Sequence, residues 1–217
     1  MPIRYQSLKT ALLGIAIGLG FLLQAHPAEA RDIQRAVFAG GCFWCVEADF
    51  EKVNGVIGAV SGYTGGQVAN PTYKQVTRGG TGHYEAVQIT FDPDVISRAS
   101  LMNMFLRSVD PTDAGGQFCD RGNSYRTAIF VSDQDEKTTA TKAVADAQAE
   151  LGQTIVTPIL PASPFYRAEE YHQDYYKGRS LVLTRAGPKS QATAYSFYRD
   201  ACGRDERVRE LWGKAMG

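Results

Sequence analysis

The chain carries no net formal charge: 23 Lys plus Arg balance 23 Asp plus Glu in 217 residues, and the basic residues are spread singly. There is thus no clustered positive surface of the kind that nucleic-acid phosphates demand. Cysteine is scarce. Four in so long a chain are too few for a disulfide-scaffold domain, and leave a stabilising bridge, a metal site or thiol chemistry. No stretch combines high charge with few aromatics and no low-complexity linker divides the chain, which argues against extended disorder and for one self-sufficient core. Long apolar runs are missing too: Ala11 to Leu23 spans 13 residues, roughly 20 Å as a helix against a hydrocarbon core of about 30 Å.

What is present begins with that short run. Arg4 and Lys9 precede it and the small-x-small triplet Ala28-Glu29-Ala30 follows it, the pattern of an export signal cleaved after Ala30. Residues 1–30 are therefore set apart, and 31–217 are expected to form a single domain with a flexible C-terminal region. Losing Arg4, Lys9 and Glu29 takes the formal charge from zero to −1. The expected location is a bacterial periplasm, with secretion as the alternative and no stable membrane association after cleavage.

Periodicity then sets the elements. Arg35 to Ala39 reads as a strand that passes through Gly40-Gly41 into a helix from about Cys42 to Val53, ended by Asn54-Gly55. Val56 to Tyr63 reads as a second strand, followed by a polar, glycine-rich loop from Thr64 to Thr81 whose length suggests a functional surface. From Tyr84 to Phe91 the residues alternate, with Glu85, Val87, Ile89 and Phe91 on one face. Ser97 to Ser108 has helical spacing, and Tyr125 to Val131 returns as a strand. Ser132 is expected to cap a helix that closes at Leu151-Gly152. A last strand is expected at Thr154 to Leu160, and beyond Pro161 mostly loop with a basic and aromatic helix. The pattern predicts an α+β fold, a two-layer α/β sandwich whose mixed sheet is covered by helices, with a long irregular C-terminal segment.

The chemistry centres on Cys42. It sits where a glycine pair hands a strand to a helix, a place where free backbone N–H groups favour an anion, so a thiolate is expected there. Phe43 and Trp44 put an aromatic surface beside it. Cys42 and Cys45 have C-x-x-C spacing, as in redox dithiols. A zinc centre would need further ligands from Cys119, Cys202, His83 and His172, none of them in a second ligand pair, and a Cys119–Cys202 disulfide suits an exported protein. Glu85 starts an otherwise apolar strand face. It is either desolvated, with a raised pKa, or paired at the wet end of the strand with an arginine such as Arg126. The hydroxyls of Tyr63, Tyr73 and Tyr125 either orient a polar oxygen or cap aromatic packing.

Taken in order, Gly41-Cys42-Phe43-Trp44, Gly62-Tyr63-Thr64-Gly65-Gly66, Asn70-Pro71-Thr72-Tyr73, Gly82-His83-Tyr84-Glu85-Ala86-Val87, Asp120 through Tyr125-Arg126, and Tyr171-His172-Gln173 resemble the A-type peptide methionine sulfoxide reductases across roughly Val37 to Lys177. The resemblance implies that Cys42 attacks the sulfur of a methionine S-sulfoxide and that Glu85 protonates the oxygen. Tyr73 and Tyr125 would hold that oxygen, Asp120 would position through water, and Phe43 and Trp44 would grip the methyl group. It implies a Cys42 sulfenic acid resolved by a second thiol. Cys202, on a tail with the family's Gly neighbour, is favoured for that role, ahead of Cys45 and then Cys119. No metal or organic cofactor is implied. The implied partners are methionine sulfoxide, free or in proteins, and a thioredoxin-like reductant, and a monomer is expected. The competing classes are a general thiol-disulfide oxidoreductase using Cys42 and Cys45, which needs no Glu85, and a peptide-binding module, which needs no reactive thiol.

Overall fold

The computed structural model describes residues 32–185 and 187–214, so the expected export signal lies outside the described residues. Its strands are β1 (Gln34–Gly40), β2 (Val56–Thr64), β3 (Tyr84–Phe91), the short hairpin β4 (Gly116–Gln117) and β5 (Asp120–Arg121), β6 (Thr127–Val131), β7 (Ile159–Pro161), β8 (Tyr166–Arg167), and the hairpin β9 (Leu181–Thr184) and β10 (Gly187–Ser190). Six of these form one mixed sheet in the order β7-β6-β1-β3-β2-β8, antiparallel throughout except where β7 runs parallel to β6. The α-helices are α1 (Phe43–Phe50), α2 (Tyr73–Arg78), α3 (Arg98–Leu106), α4 (Gln134–Leu151), α5 (Gln191–Ala201) and α6 (Arg204–Trp212). No helix among the described residues is long and apolar enough to cross a membrane.

The alternation along β3 decides which face the helices cover. Val87, Ile89 and Phe91 share one core with Phe38 of β1, Ile129 of β6, Phe43, Val46 and Phe50 of α1, Leu101 and Phe105 of α3, and three alanines of α4. Strand residues of the opposite parity, Ala39, Tyr84, Ala86, Ala128 and Phe130, make a thinner layer with Leu160 and Phe165. Burying one such aliphatic or aromatic side chain is worth roughly 1.5–3 kcal/mol. A one-residue slip of β3 would exchange the two sets and is therefore strongly disfavoured. The register so fixed sets Glu85 opposite Tyr63 of β2, on the helix-covered face. The result is the expected α+β, two-layer arrangement.

Several local expectations are corrected. The presumed loop from Thr64 to Thr81 contains α2, because Thr72 and Gln75 form a reciprocal capping box that starts a helix in an otherwise irregular segment. The N-cap of α4 is Asp133, whose carboxylate accepts from the Glu136 N–H at 2.8 Å, while the Ser132 N–H donates back to Glu136. The strand expected at Thr154 to Leu160 is only Ile159–Pro161, and it is not the last: β8 joins the same sheet and β9 and β10 form a hairpin in the region expected to be mostly loop. The C-terminal region, expected to be flexible, carries two consecutive helices held by the buried side chains of Tyr195, Arg199, Arg204 and Val208.

Candidate active site

The turn from β1 into α1 is built around two glycines. At Gly40 a Cβ would lie 2.8 Å from Val46 Cγ2, and Gly41 has φ +79° with Gln117 Cβ 2.6 Å from where its own Cβ would be, so a side chain would clash at either position. This sharp turn puts Cys42 at the N-cap of α1. The Cys42 thiol opens on a cavity of about 60 Å³ lined by Cys42, Phe43, Trp44, Tyr73, Glu85, Asp120, Tyr125 and Tyr198. Seven of these eight are residues the sequence singled out, delivered by five separate segments. Tyr63 is elsewhere: it is fully buried and its hydroxyl donates to Glu169 Oε2 at 2.8 Å. The other oxygen of Glu169 accepts the Tyr73 N–H at 2.9 Å, so Tyr63 acts on the site by anchoring the start of α2 and by packing its ring against Phe43, 5.9 Å between centroids.

The thiolate expected at Cys42 is not the resting form. Burial pushes its pKa well up, reinforced by a hydrogen bond and charge from Cys45 and by the carboxyl groups of Glu85 and Asp120. The helix end does not compensate, because its first N–H, that of Phe43, donates to Glu85 Oε2 at 3.1 Å. Glu85 is fully buried, and burial raises its pKa to about 8 against the lowering effect of the Phe43 N–H. It is therefore mostly a neutral acid at pH 7. Its second oxygen, Oε1, has no hydrogen-bond partner. Arg126, the expected alternative partner, instead lies over the Tyr84 ring, 4.7 Å from its centroid. Burial, followed by the charge of Glu85, also raises the pKa of Tyr73 and Tyr125, whose hydroxyls bond to each other. Both phenols thus remain protonated donors.

The apolar wall is held from the C-terminal side. Trp44 stacks on Tyr175 at a centroid distance of 3.8 Å and donates its indole N–H to His172 Nδ1 at 3.2 Å. Burial lowers the His172 pKa to about 4, which keeps the ring neutral and Nδ1 free to accept. The same ring packs against Phe43 and Tyr73. The sequence offers His172 as a motif residue and as one of four possible further ligands of a zinc centre, and its place beside Trp44 is neither.

Tyr198 was missed altogether. It reaches the cavity from α5 and donates its hydroxyl to Asp120. Its signal was the Cys119–Cys202 pairing, since Cys119 adjoins Asp120 and Tyr198 lies one helical turn before Cys202. That disulfide is formed, with a Cα–Cα distance of 4.9 Å across a sequence separation of 83, and Cys42 and Cys45 are the free thiols. Cys202, expected as a resolving thiol on a mobile tail, is therefore bonded to Cys119 at the end of an ordered helix.

The family model for peptide methionine sulfoxide reductase matches residues 34–203. The chain is 46% identical over 197 residues to peptide methionine sulfoxide reductase MsrA 2 of Rhizobium meliloti (strain 1021), covering 89% of this chain and 92% of that one. It is 57% identical over 145 residues to MsrA of Ligilactobacillus salivarius (strain UCC118), covering 65% and 84%. Among solved structures, methionine sulfoxide reductase A of Corynebacterium diphtheriae is similar with a TM-score of 0.66 and 26% identity, covering 74% of this chain and 85% of that one. Reduced Mxr1 from Saccharomyces cerevisiae is similar with a TM-score of 0.64 and 31% identity, covering 67% and 84%. An ordered set of motifs, a matching fold and relatives that align along most of their length converge on one conclusion: the chain belongs to the A-type peptide methionine sulfoxide reductase family.

Proposed function

We propose that the chain reduces methionine S-sulfoxide, free or in oxidised proteins, to methionine through a sulfenic acid on Cys42. One observation carries most of the reading: a buried, largely neutral Glu85 with an unbonded oxygen shares a small cavity with Cys42 and with the paired hydroxyls of Tyr73 and Tyr125. A sulfoxide oxygen leaves its sulfur only as it gains protons or strong donors, and this cluster supplies the Glu85 proton and a hydroxyl of the tyrosine pair. Phe43 and Trp44 face the methyl group, and Asp120, tied to Tyr198, borders the same space. In net, the S–O bond of the substrate breaks and an S–O bond to Cys42 forms. Glu85 gives its proton to the oxygen and recovers the one that leaves Cys42, so the acid is regenerated. A second thiol then converts the sulfenic acid to a disulfide with release of water.

The chemistry runs on thiols, without metal or organic cofactor, and a thioredoxin-like protein returns the electrons. The pattern of residues 4–30 supports export, to a periplasm or the medium. Intact-mass measurement of the fractionated protein should find Arg31 as the first residue, and a cytosolic, uncleaved chain would end that part of the proposal.

The activity is tested in a single turnover without reductant. Cys42→Ser should abolish stoichiometric methionine formation, and Glu85→Gln should slow it by about 10²–10⁴-fold while leaving the fold intact. An active Cys42→Ser enzyme would eliminate the assignment. The adjacent free thiols Cys42 and Cys45 favour a second reading, general thiol-disulfide exchange. In that case exchange with a protein dithiol would be fast and indifferent to Glu85→Gln.

A further inference from the structure

We propose that Cys45 is the thiol that resolves the Cys42 sulfenic acid, and that Arg199 and Arg204 of the C-terminal helices are positioning residues that hold its sulfur ready beneath the catalytic turn. The inference rests on the reductase reading above and deepens it. Cys45 is free, buried and packed with Cys42 one helical turn along, its N–H donating to the Cys42 carbonyl oxygen at 3.1 Å, whereas the other two cysteines are bonded to each other.

The surroundings of Cys45 are unusual for a packing residue. Arg199 is 7% exposed, Arg204 2% and Asp49 1%, an arrangement of buried charges that costs free energy unless anions and hydrogen bonds compensate. Arg199 has Asp49 at 2.8 Å and Asp205 at 2.6 Å. Arg204 is less well served. Its Nη atoms donate to two neutral carbonyl oxygens, those of Gly40 and Ser108, its Nε has no hydrogen-bond partner, and its nearest carboxylate oxygen, on Asp49, is 3.8 Å away. A sulfur anion at Cys45 supplies the missing negative charge. The pKa of Cys45 is lowered, first by the hydrogen bond from Cys42 and then by Arg204 and Arg199, against burial and the charge of Asp49. The remaining ionisable neighbours are Glu85, largely neutral at pH 7, and Tyr195 and Tyr198, both held protonated. The Cys119–Cys202 bridge falls between the two arginines in sequence, and so fixes both helices that carry them.

The step balances without any further reagent. The Cys45 sulfur anion attacks the Cys42 sulfur, the S–S bond forms, the S–OH bond breaks, and Glu85 gives its proton to the departing hydroxide to make water. Over both steps the two thiols lose two electrons to the substrate sulfur. The two hydrogens of the water come from Cys42 and Glu85, and Glu85 ends ionised.

The test uses the wild-type enzyme, with Cys119–Cys202 formed, quenched after one equivalent of methionine sulfoxide. Peptide mapping should show a new Cys42–Cys45 disulfide with Cys119–Cys202 retained. A Cys42 bond to Cys119 or Cys202, or an unresolved sulfenic acid, overturns the inference. Methionine measured in the same quench separates the two failures: without methionine the reductase reading fails, and with methionine but another disulfide only this inference does. The rate of sulfenic acid loss should rise with pH about a midpoint below the value near 8.5 of a free thiol and fall again as Glu85, needed protonated, ionises about 8, and a rising midpoint at or above 8.5 refutes the arginine role. In Arg204→Met the midpoint should move up by about one pH unit. The thiolate fraction at pH 7 then falls up to about tenfold while its nucleophilicity rises about threefold, so the step slows by up to about threefold at pH 7 and overtakes wild type at high pH. Arg199→Lys should keep the wild-type midpoint. Equal slowing of Arg204→Met at every pH assigns the arginines to packing and overturns their role.

Discussion

Glu85 places function and stability in opposition, and the conflict can be measured. Its ordinary pKa is about 4.3, and in the folded protein it is about 8. Between those values the folded state binds a proton that the unfolded state does not, so stability falls as pH rises through that window and is restored below it. At pH 7 the acid must be protonated against a gap of nearly three units, a cost of about 4 kcal/mol, rising to about 5 kcal/mol above pH 8. Glu85→Gln removes that cost. Its amide oxygen can still accept the Phe43 N–H, and its unbonded N–H replaces the unbonded O–H of the acid, so the hydrogen-bond balance nearly cancels. The variant should therefore be the more stable protein, by roughly 10 °C in Tm at pH 7 for a chain of this size, while losing most of its activity. Glu47, another buried carboxyl, raised to about 7 mainly by burial, contributes equally to both proteins and drops out of the difference. The assay is paired urea or thermal unfolding from pH 4 to 9. The difference should be absent near pH 4, open above it and level off past pH 8. A difference of the same size at every pH, or a less stable variant, would show that Glu85 is not buried as a neutral acid.

Three further outcomes follow from the same geometry. Because the Tyr73 and Tyr125 hydroxyls bond each other, Tyr73→Phe and Tyr125→Phe should each slow the single turnover by about 10–100-fold, and the double variant by less than the product; a fully multiplicative double variant would mean independent roles. His172→Phe removes the acceptor of the Trp44 indole, so KM for a methionine sulfoxide peptide should rise more than kcat falls, and an unchanged KM would separate His172 from the methyl wall. Replacing Cys119 and Cys202 together by serine opens a closure of 83 residues. That should lower stability by about 3–5 kcal/mol in urea and leave a new Cys42–Cys45 disulfide after one turnover; loss of that disulfide would place the bridge in the electron path.

The sequence made the frame of the site readable because local physics dominates there. Alternation along Tyr84 to Phe91 has one low-energy solution, and it aimed Glu85 at the helix-covered face. The Gly40-Gly41 turn needs two missing side chains, so it located Cys42. What stayed hidden depends on contacts between distant segments. Tyr198 reaches Asp120 across a separation of 78, and α2 rests on a two-residue capping box inside a glycine-rich stretch whose composition argues for loop. Of the two readings of Glu85, the structure selects the desolvated acid, since its neighbours are a backbone N–H and an aromatic wall rather than Arg126. The charge state of Cys42 was misread for a related reason. A helix N-terminus favours an anion only if its N–H groups point at that anion, and here the nearest is taken by Glu85.

That misreading changes how the nucleophile must work. A thiol held well above its ordinary pKa is a poor target for stray electrophiles and oxidants, because the thiolate is the reactive form. Its neighbour Cys45, hydrogen-bonded to it and facing two arginines, holds the more stable anion of the pair. Reactivity at Cys42 then requires two events together: a sulfoxide oxygen in reach of the Glu85 proton, and relief of the burial that disfavours charge on sulfur. The substrate supplies both, since its polarised S–O group brings an electron-poor sulfur to Cys42 and an electron-rich oxygen to the acid. The free enzyme and the complex should differ accordingly. Iodoacetamide should label Cys42 slowly at pH 7 in the free protein, and occupying the cavity with dimethyl sulfoxide, under conditions where it does not turn over, should shift the Cys42 titration downward. Rapid labelling of Cys42 in the free protein would show that the anion is already there, and that the acid, not the thiol, is what the substrate must wait for.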